Sequence, residues 1–378
     1  MRVGITCYPT YGGSGIVATE LGMELAARGH EVHFISYANP IRLNTDSPRI
    51  HYHEVEVSTY PLFQYPPYCL ALASRMAEVA ETAGLDLLHV HYAIPHAISA
   101  FLAKEMLAKQ ARRRRRLPFV TTLHGTDITL VGADRSYLPI TRFSIEQSDG
   151  VTAISQYLKE HTLNVFGVGE QIRVIQNFVN CDVYRGNPDP AARKAFAPEG
   201  EKILVHLSNF RPVKRVLDAV RVAAKVKPAV PVKLLMIGDG PDRGPAEYLA
   251  RDLGLEDDVL FLGKQSRIPE LLAVSDVLLL PSEMEAFGLA ALEAMACGVP
   301  PVATRTGGVP ELITDGVDGC LAPVGDTDAM AAYVVSLLTD RDRYIRFSQA
   351  ARRTAETRFS TSLIIPKYEE YYRQVLDR

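Results

Sequence analysis

Short, nearly unbroken apolar runs alternate along this chain with longer segments of helical period, and most runs stop at glycine, proline or small polar residues. Such runs suit strands buried on both faces, with the intervening segments as covering helices. The pattern therefore predicts an α/β fold on parallel sheets. In the first half, strands are predicted at 2–8, 31–36, 50–57, 85–92, 118–123 and 150–155, with helices over 16–28, 71–83 and 139–148. From Glu201 the pattern restarts, with strands at 202–208, 232–238, 259–262 and 277–280 and helices between them. Two doubly wound, Rossmann-like domains are expected, 1–180 and 181–355, followed by a helical end, 356–378, with Tyr368, Tyr371 and Tyr372 near one face.

Ligands of open parallel sheets bind beyond the carboxyl ends of the strands, so the polar stretches there carry the candidate chemistry. Ser282–Glu293 is the richest of them. It joins the run Val277–Leu280 to a helix over 288–296 that Gly298 and Pro300 close. Glu285 precedes the helix and Glu293 lies about a turn and a half inside it, so both can face one ligand. The helix start offers free N–H groups to an anion. Pro9–Gly15 is a glycine-rich turn with the same capacity, although it is neither Gly-x-Gly-x-x-Gly nor a P-loop. His91 and Tyr92 also fall at a strand's carboxyl end, whereas His89 reads as core.

At 378 residues the chain exceeds one ordinary core. A net charge of −3 gives no basic field for nucleic acid. Arg112–Arg116 fits a solvated loop or a contact with an anionic membrane surface. Five scattered cysteines without Cys-x-x-Cys fit a reducing cytosol. No charged leader is evident, and no run approaches the roughly 18 apolar residues of a span, so a cytoplasmic protein without integral membrane segments is expected. Histidine and carboxylate spacing suggests no tightly held metal, and no cofactor is expected. Tyr60–Tyr68, aromatic and proline-rich, suits a pocket wall, a homodimer interface or a packed loop alike.

Glu285-Ala-Phe-Gly-Leu with Glu293 eight residues after the first glutamate resembles the retaining glycosyltransferases of family 4. The resemblance implies the GT-B fold, two Rossmann-like domains facing a central cleft, with the last helix crossing back to the first domain. It implies that Glu285 and the amides of Phe287, Gly288 and Leu289 face the sugar and diphosphate, and that Glu293 binds the ribose. His124, in His-Gly-Thr-Asp after the strand at 118–123, would reach the donor sugar. The loop at Gly13 also matches a family feature. Lys214 has the position of the family's phosphate-binding lysine. The usual arginine five residues earlier is Asn209 here, and Arg211 offers a substitute charge.

Ile5–Glu20, His89–His96, Thr121–Ile128 and Ser208–Arg215 further resemble the family's bacillithiol-pathway branch, over nearly the whole chain. That likeness implies UDP-N-acetylglucosamine as donor and L-malate as acceptor. Donors for a small dianion are then needed on the first-domain side, and Ser14, Tyr92, Thr122 and Arg142 are the candidates. An inositol phosphate or glycolipid acceptor, or a sugar-nucleotide 2-epimerase of the same fold, are the rival enzymes. A non-catalytic UDP-sugar sensor is the rival outside catalysis.

Overall fold

A computed structural model describes the chain except residues 11, 59, 60, 63, 110–115, 130, 170 and 188. Thirteen parallel strands in the described residues form two sheets, which belong to two units: Met1–Gln176 with Ile364–Arg378, and Asn177–Leu363. The sequence suggested boundaries at 180/181 and 355/356; the second instead falls inside the continuous helix Thr361–Leu376.

The first unit's strands are β1 Arg2–Thr6, β2 Glu31–Ser36, β3 Ile50–Glu54, β4 Leu87–His91, β5 Phe119–Leu123, β6 Gly150–Ala153 and β7 Ile172–Val174. They lie in the order β3-β2-β1-β4-β5-β6-β7. The second unit has β8 Lys202–Leu207, β9 Val232–Ile237, β10 Val259–Gly263, β11 Val277–Leu280, β12 Pro301–Thr304 and β13 Cys320–Ala322, ordered β10-β9-β8-β11-β12-β13. Both orders reverse direction once, between β1 and β4 and between β8 and β11. Loops leaving a sheet there diverge to opposite faces and open a crevice at the carboxyl edge.

The central strands are buried throughout, as their apolar runs require. The second unit's main core joins Leu204, Leu234 and Leu279 of the sheet to Val216, Val220 and Ala223 of the helix Val216–Val226. In the first unit the helix Tyr68–Ala83 packs Leu72 and Met76 against Ile35, Leu88 and Val90. Several strands end sooner than the apolar runs suggest: β1 stops at Thr6 and β3 at Glu54. The first helix begins at Gly13 rather than Ile16, because the glycine-rich turn itself supplies its first residues.

The chain end forms two helices, Arg341–Arg358 and Thr361–Leu376, broken at Phe359–Ser360. The last one belongs to the first unit. Tyr372 Oη is 2.6 Å from His89 Nδ1, Tyr371 Oη accepts from the Val151 amide at 2.9 Å, and Glu369 receives both Arg28 nitrogens at 2.9 Å.

Candidate active site

The second unit's switch point is built by the segments after β8 and β11. A short 3-10 turn, Pro212–Lys214, lifts Lys214 toward Glu285 in the segment after β11. Lys214 Nζ lies 2.5 Å from Glu285 Oε1, and Ser282 Oγ donates to the same oxygen at 3.0 Å. The two ion-paired side chains are 21% and 12% exposed, so a ligand can still reach them. Beneath them His206 is buried between the Leu279 carbonyl and Ser208 Oγ, and burial lowers its pKa to about 4. It adds no positive charge beside Lys214 at neutral pH.

Asn209 is pinned from behind. A Cβ on Gly240 would stand 2.2 Å from the Asn209 carbonyl oxygen, and one on Gly238 would stand 1.8 Å from that of Ser208. Only glycine lets the loop after β9 approach so closely. Asn209 Oδ1 is buried without a hydrogen-bond partner, and Arg211 is exposed.

Gly288 caps the helix Leu289–Ala296 at φ +96°, a left-handed backbone that suits glycine. The amides of the first turn have no intrahelical acceptor and lie at the positive end of the dipole. The Phe287 ring is buried edge-on against Phe359, 5.6 Å between centroids, so it anchors the loop and offers a ligand only its backbone. Glu293 is not a solvated helix acid. It is 4% exposed, and Tyr184 Oη donates to its Oε1 at 2.6 Å.

In the first unit, β4 and β5 bring four buried histidines together. His91 Nδ1 and His124 Nε2 are 2.8 Å apart, and His96 Nδ1 donates to the His91 carbonyl at 2.5 Å. Burial lowers His124 to about 3 and His96 to about 4, and drives His91 well down, so the rings are neutral at pH 7. Tyr92, at φ +93°, stacks on His124 at 5.6 Å and meets Tyr8 edge-on at 5.3 Å. Asp127 fixes the turn by accepting from the amides of Ala93, His124 and Gly125. Its burial raises its pKa to about 6, despite the opposing pull of those amides. Gly13 and Ser14 open the helix Gly13–Ala27, and Gly15 is obligatory there because a Cβ would come 2.5 Å from the Tyr8 carbonyl.

Two acceptor candidates need correction. Thr122 is fully buried within the sheet, its hydroxyl 2.6 Å from His89 Nε2 and 2.7 Å from Thr152 Oγ1, so it is committed to the core rather than offered to an acceptor. Arg142 lies on the outer face of the helix Leu138–Gln147, opposite buried Thr141, Ser144 and Ile145, and pairs with Glu146 at 2.9 Å. Arg116, the only described residue of the arginine run, pairs with Asp149 at 2.9 Å; Arg112–Arg115 lie outside the described residues, as do Tyr60 and Phe63 of the aromatic stretch. Sequence reasoning missed Tyr184, which has no local signal, and Ser282, whose Ser-x-x-Glu spacing to Glu285 was available. It also missed Glu31, His33 and His51, whose donor atoms lie within 4.8 Å of one another across β2 and β3.

Two doubly wound parallel sheets, with a cation–carboxylate pair and a helix start at one switch point, make a two-domain α/β arrangement suited to an anionic ligand. Residues 11–183 match the family described as Glycosyltransferase Family 4, and residues 189–354 match Glycosyl transferases group 1. The chain is 50% identical over 377 residues to N-acetyl-alpha-D-glucosaminyl L-malate synthase of Bacillus anthracis, covering 100% of this chain and 97% of that one. It is 28% identical to D-inositol 3-phosphate glycosyltransferase of Thermobispora bispora, over 80% of this chain and 74% of that one. Anabaena Alr3699/HepE in complex with UDP and glucose superposes with a TM-score of 0.80 at 21% identity, over 98% and 99% of the two chains. A Rickettsia africae glycosyltransferase does so with a TM-score of 0.80 at 24% identity, over 100% and 99%. These two structures share the fold. The chain belongs to the family 4 glycosyltransferases and has the GT-B fold.

Proposed function

We propose that the enzyme transfers N-acetylglucosamine from UDP-N-acetylglucosamine to the hydroxyl of L-malate, with retention at the anomeric carbon, in the cytoplasm and as a step of bacillithiol biosynthesis. The observation that carries this reading is the Lys214–Glu285 pair beside the start of the helix Leu289–Ala296. It occurs in a chain half identical, along its length, to an enzyme named for that product.

As the bond from the sugar C1 to the phosphate oxygen breaks, negative charge grows on the leaving diphosphate. Lys214 and the Gly288–Leu289 amides are the donors for that charge, with Arg211 as a further cation. Moving Lys214 onto phosphate releases Glu285 Oε1 for sugar hydroxyls. Glu293, oriented by Tyr184, holds the ribose. The malate oxygen attacks C1 from the face the phosphate leaves, and its proton passes to the departing phosphate oxygen. Neutral His124 is a hydrogen-bonding group toward the sugar rather than a cation. The dianionic acceptor is held by Ser14, Tyr92 and the free amides that start the helix Gly13–Ala27.

The test is to offer UDP-N-acetylglucosamine, UDP-glucose and GDP-mannose with L-malate, inositol 3-phosphate and a glycolipid, and to read product mass and anomeric configuration. A single α-linked N-acetylglucosaminyl malate is expected. Inert malate beside an active inositol phosphate would overturn the acceptor and leave the family intact. UDP release without acceptor, giving an epimerised sugar, would overturn transfer itself.

A further inference from the structure

We propose that Glu31, His33 and His51 form a divalent-cation site, with zinc the best-fitting ion, that ties the edge strand β3 to β2. His33 and His51 are register partners in these parallel strands, and Glu31 is two residues before His33, so all three share one face. Glu31 Oε1 lies 3.4 Å from His33 Nε2 and 3.5 Å from His51 Nε2. Metal–ligand bonds near 2.0–2.2 Å at tetrahedral angles place neighbouring donors about 3.3–3.5 Å apart. The spacing therefore leaves room for one ion, with the fourth position open to water beside half-exposed His51.

The His33 and His51 rings stack at 4.6 Å with their Nε2 atoms on the Glu31 side. His33 is 4% exposed, and its buried Nε2 makes no hydrogen bond of good geometry, only the 3.4 Å approach of Glu31 Oε1, which an ion between them would replace. Its Nδ1 is 2.9 Å from His53 Nε2, and if the proton sits on Nδ1, Nε2 is left bare as a ligand. Arg2 Nε holds the other carboxylate oxygen of Glu31 at 3.1 Å, fixing the group while leaving Oε1 free to turn inward. Two imidazoles and one carboxylate form a donor set suited to zinc rather than magnesium or calcium. The site lies toward the amino ends of β2 and β3, at the other edge of the sheet from His124 and Tyr92. Its role is to brace the outer strand, not to act in transfer.

The full chain, stripped with chelator, is titrated with Zn²⁺ by calorimetry and with Co²⁺ by visible absorption, and amide exchange in 50–54 is followed with and without zinc. One ion per chain, four-coordinate cobalt bands and slowed exchange in β3 are expected. His51→Ala and Glu31→Gln alter partly exposed positions and should each weaken zinc at least about tenfold while leaving transferase activity unchanged. Zinc that binds both variants as tightly as the parent, or leaves exchange in 50–54 unaltered, would overturn the site, as would failure to bind zinc.

Discussion

Lys214 and Glu285 neutralise each other at 2.5 Å, so on the proposed reading a diphosphate would meet a cation that is already placed and must exchange partners. Lys214→Ala removes that charge from the developing leaving group, and turnover is expected to fall about a hundredfold, or ~3 kcal/mol, measured as kcat at saturating donor. On the proposed reading Glu293 holds the ribose, away from the bond that breaks. Tyr184→Phe deletes the donor to its buried Oε1 and should weaken UDP binding by about 2 kcal/mol, with a smaller effect on kcat. Unchanged calorimetric UDP affinity would show that Glu293 does not hold the ribose. Arg142 gives the opposite expectation. Because it is exposed and paired with Glu146, Arg142→Ala should leave the malate KM within about twofold.

At the scale of elements, the site depends on how a loop enters a helix. Gly288 at φ +96° turns the chain so that the amides of Leu289 and its neighbours face the switch point. A Cβ there would meet nothing nearer than 3.6 Å, so Gly288→Ala costs backbone strain rather than a clash, about 1–3 kcal/mol. Gly29, at φ +94° with open space around it, gives the matched control. Both alanine variants should lower Tm, but only Gly288→Ala should also weaken UDP binding; equal effects on affinity would mean the helix start does not hold the diphosphate. Elements of this kind were legible in the sequence because apolar run, turn and helix are consecutive, as in Val277–Ala296. What depended on pairing between distant segments was not. Tyr184 meets Glu293 across 109 positions, and Thr122 disappears into a His89–Thr122–Thr152 chain set by strand order. The zinc-type cluster exists only because His33 and His51 are in register. Arg142 was readable: buried Thr141, Ser144 and Ile145 mark the inward stripe, and position 142 falls outside it.

Across the whole molecule, buried histidines are divided unevenly between the two units. Among the described residues, His33, His89, His91, His96 and His124 belong to the first and only His206 to the second. Burial lowers every one of them: His89 and His124 to about 3, His33, His96 and His206 to about 4, and His91 well below its usual range. A histidine depressed in the folded state stabilises it fully above its unfolded pKa near 6.5. That contribution is lost as pH falls toward the folded value, because the unfolded chain takes up the proton first. Each such ring withdraws up to about 1.4 kcal/mol per pH unit in that window. Asp127 works the other way: raised to about 6, it takes up its proton in the folded state first and adds stability as pH falls from about 6 toward 4. One opposing carboxyl does not offset five rings. Glu369 reinforces the loss, since Arg28 and then His30 hold its pKa low and that contribution also vanishes in acid. The first unit is therefore expected to open between about pH 6 and 4 while the second remains folded. Hydrogen exchange read by mass spectrometry should show protection at 87–91 and 119–123 lost before that at 202–207 and 277–280. Simultaneous loss, or earlier loss in the second unit, would mean that the buried histidines do not govern acid stability.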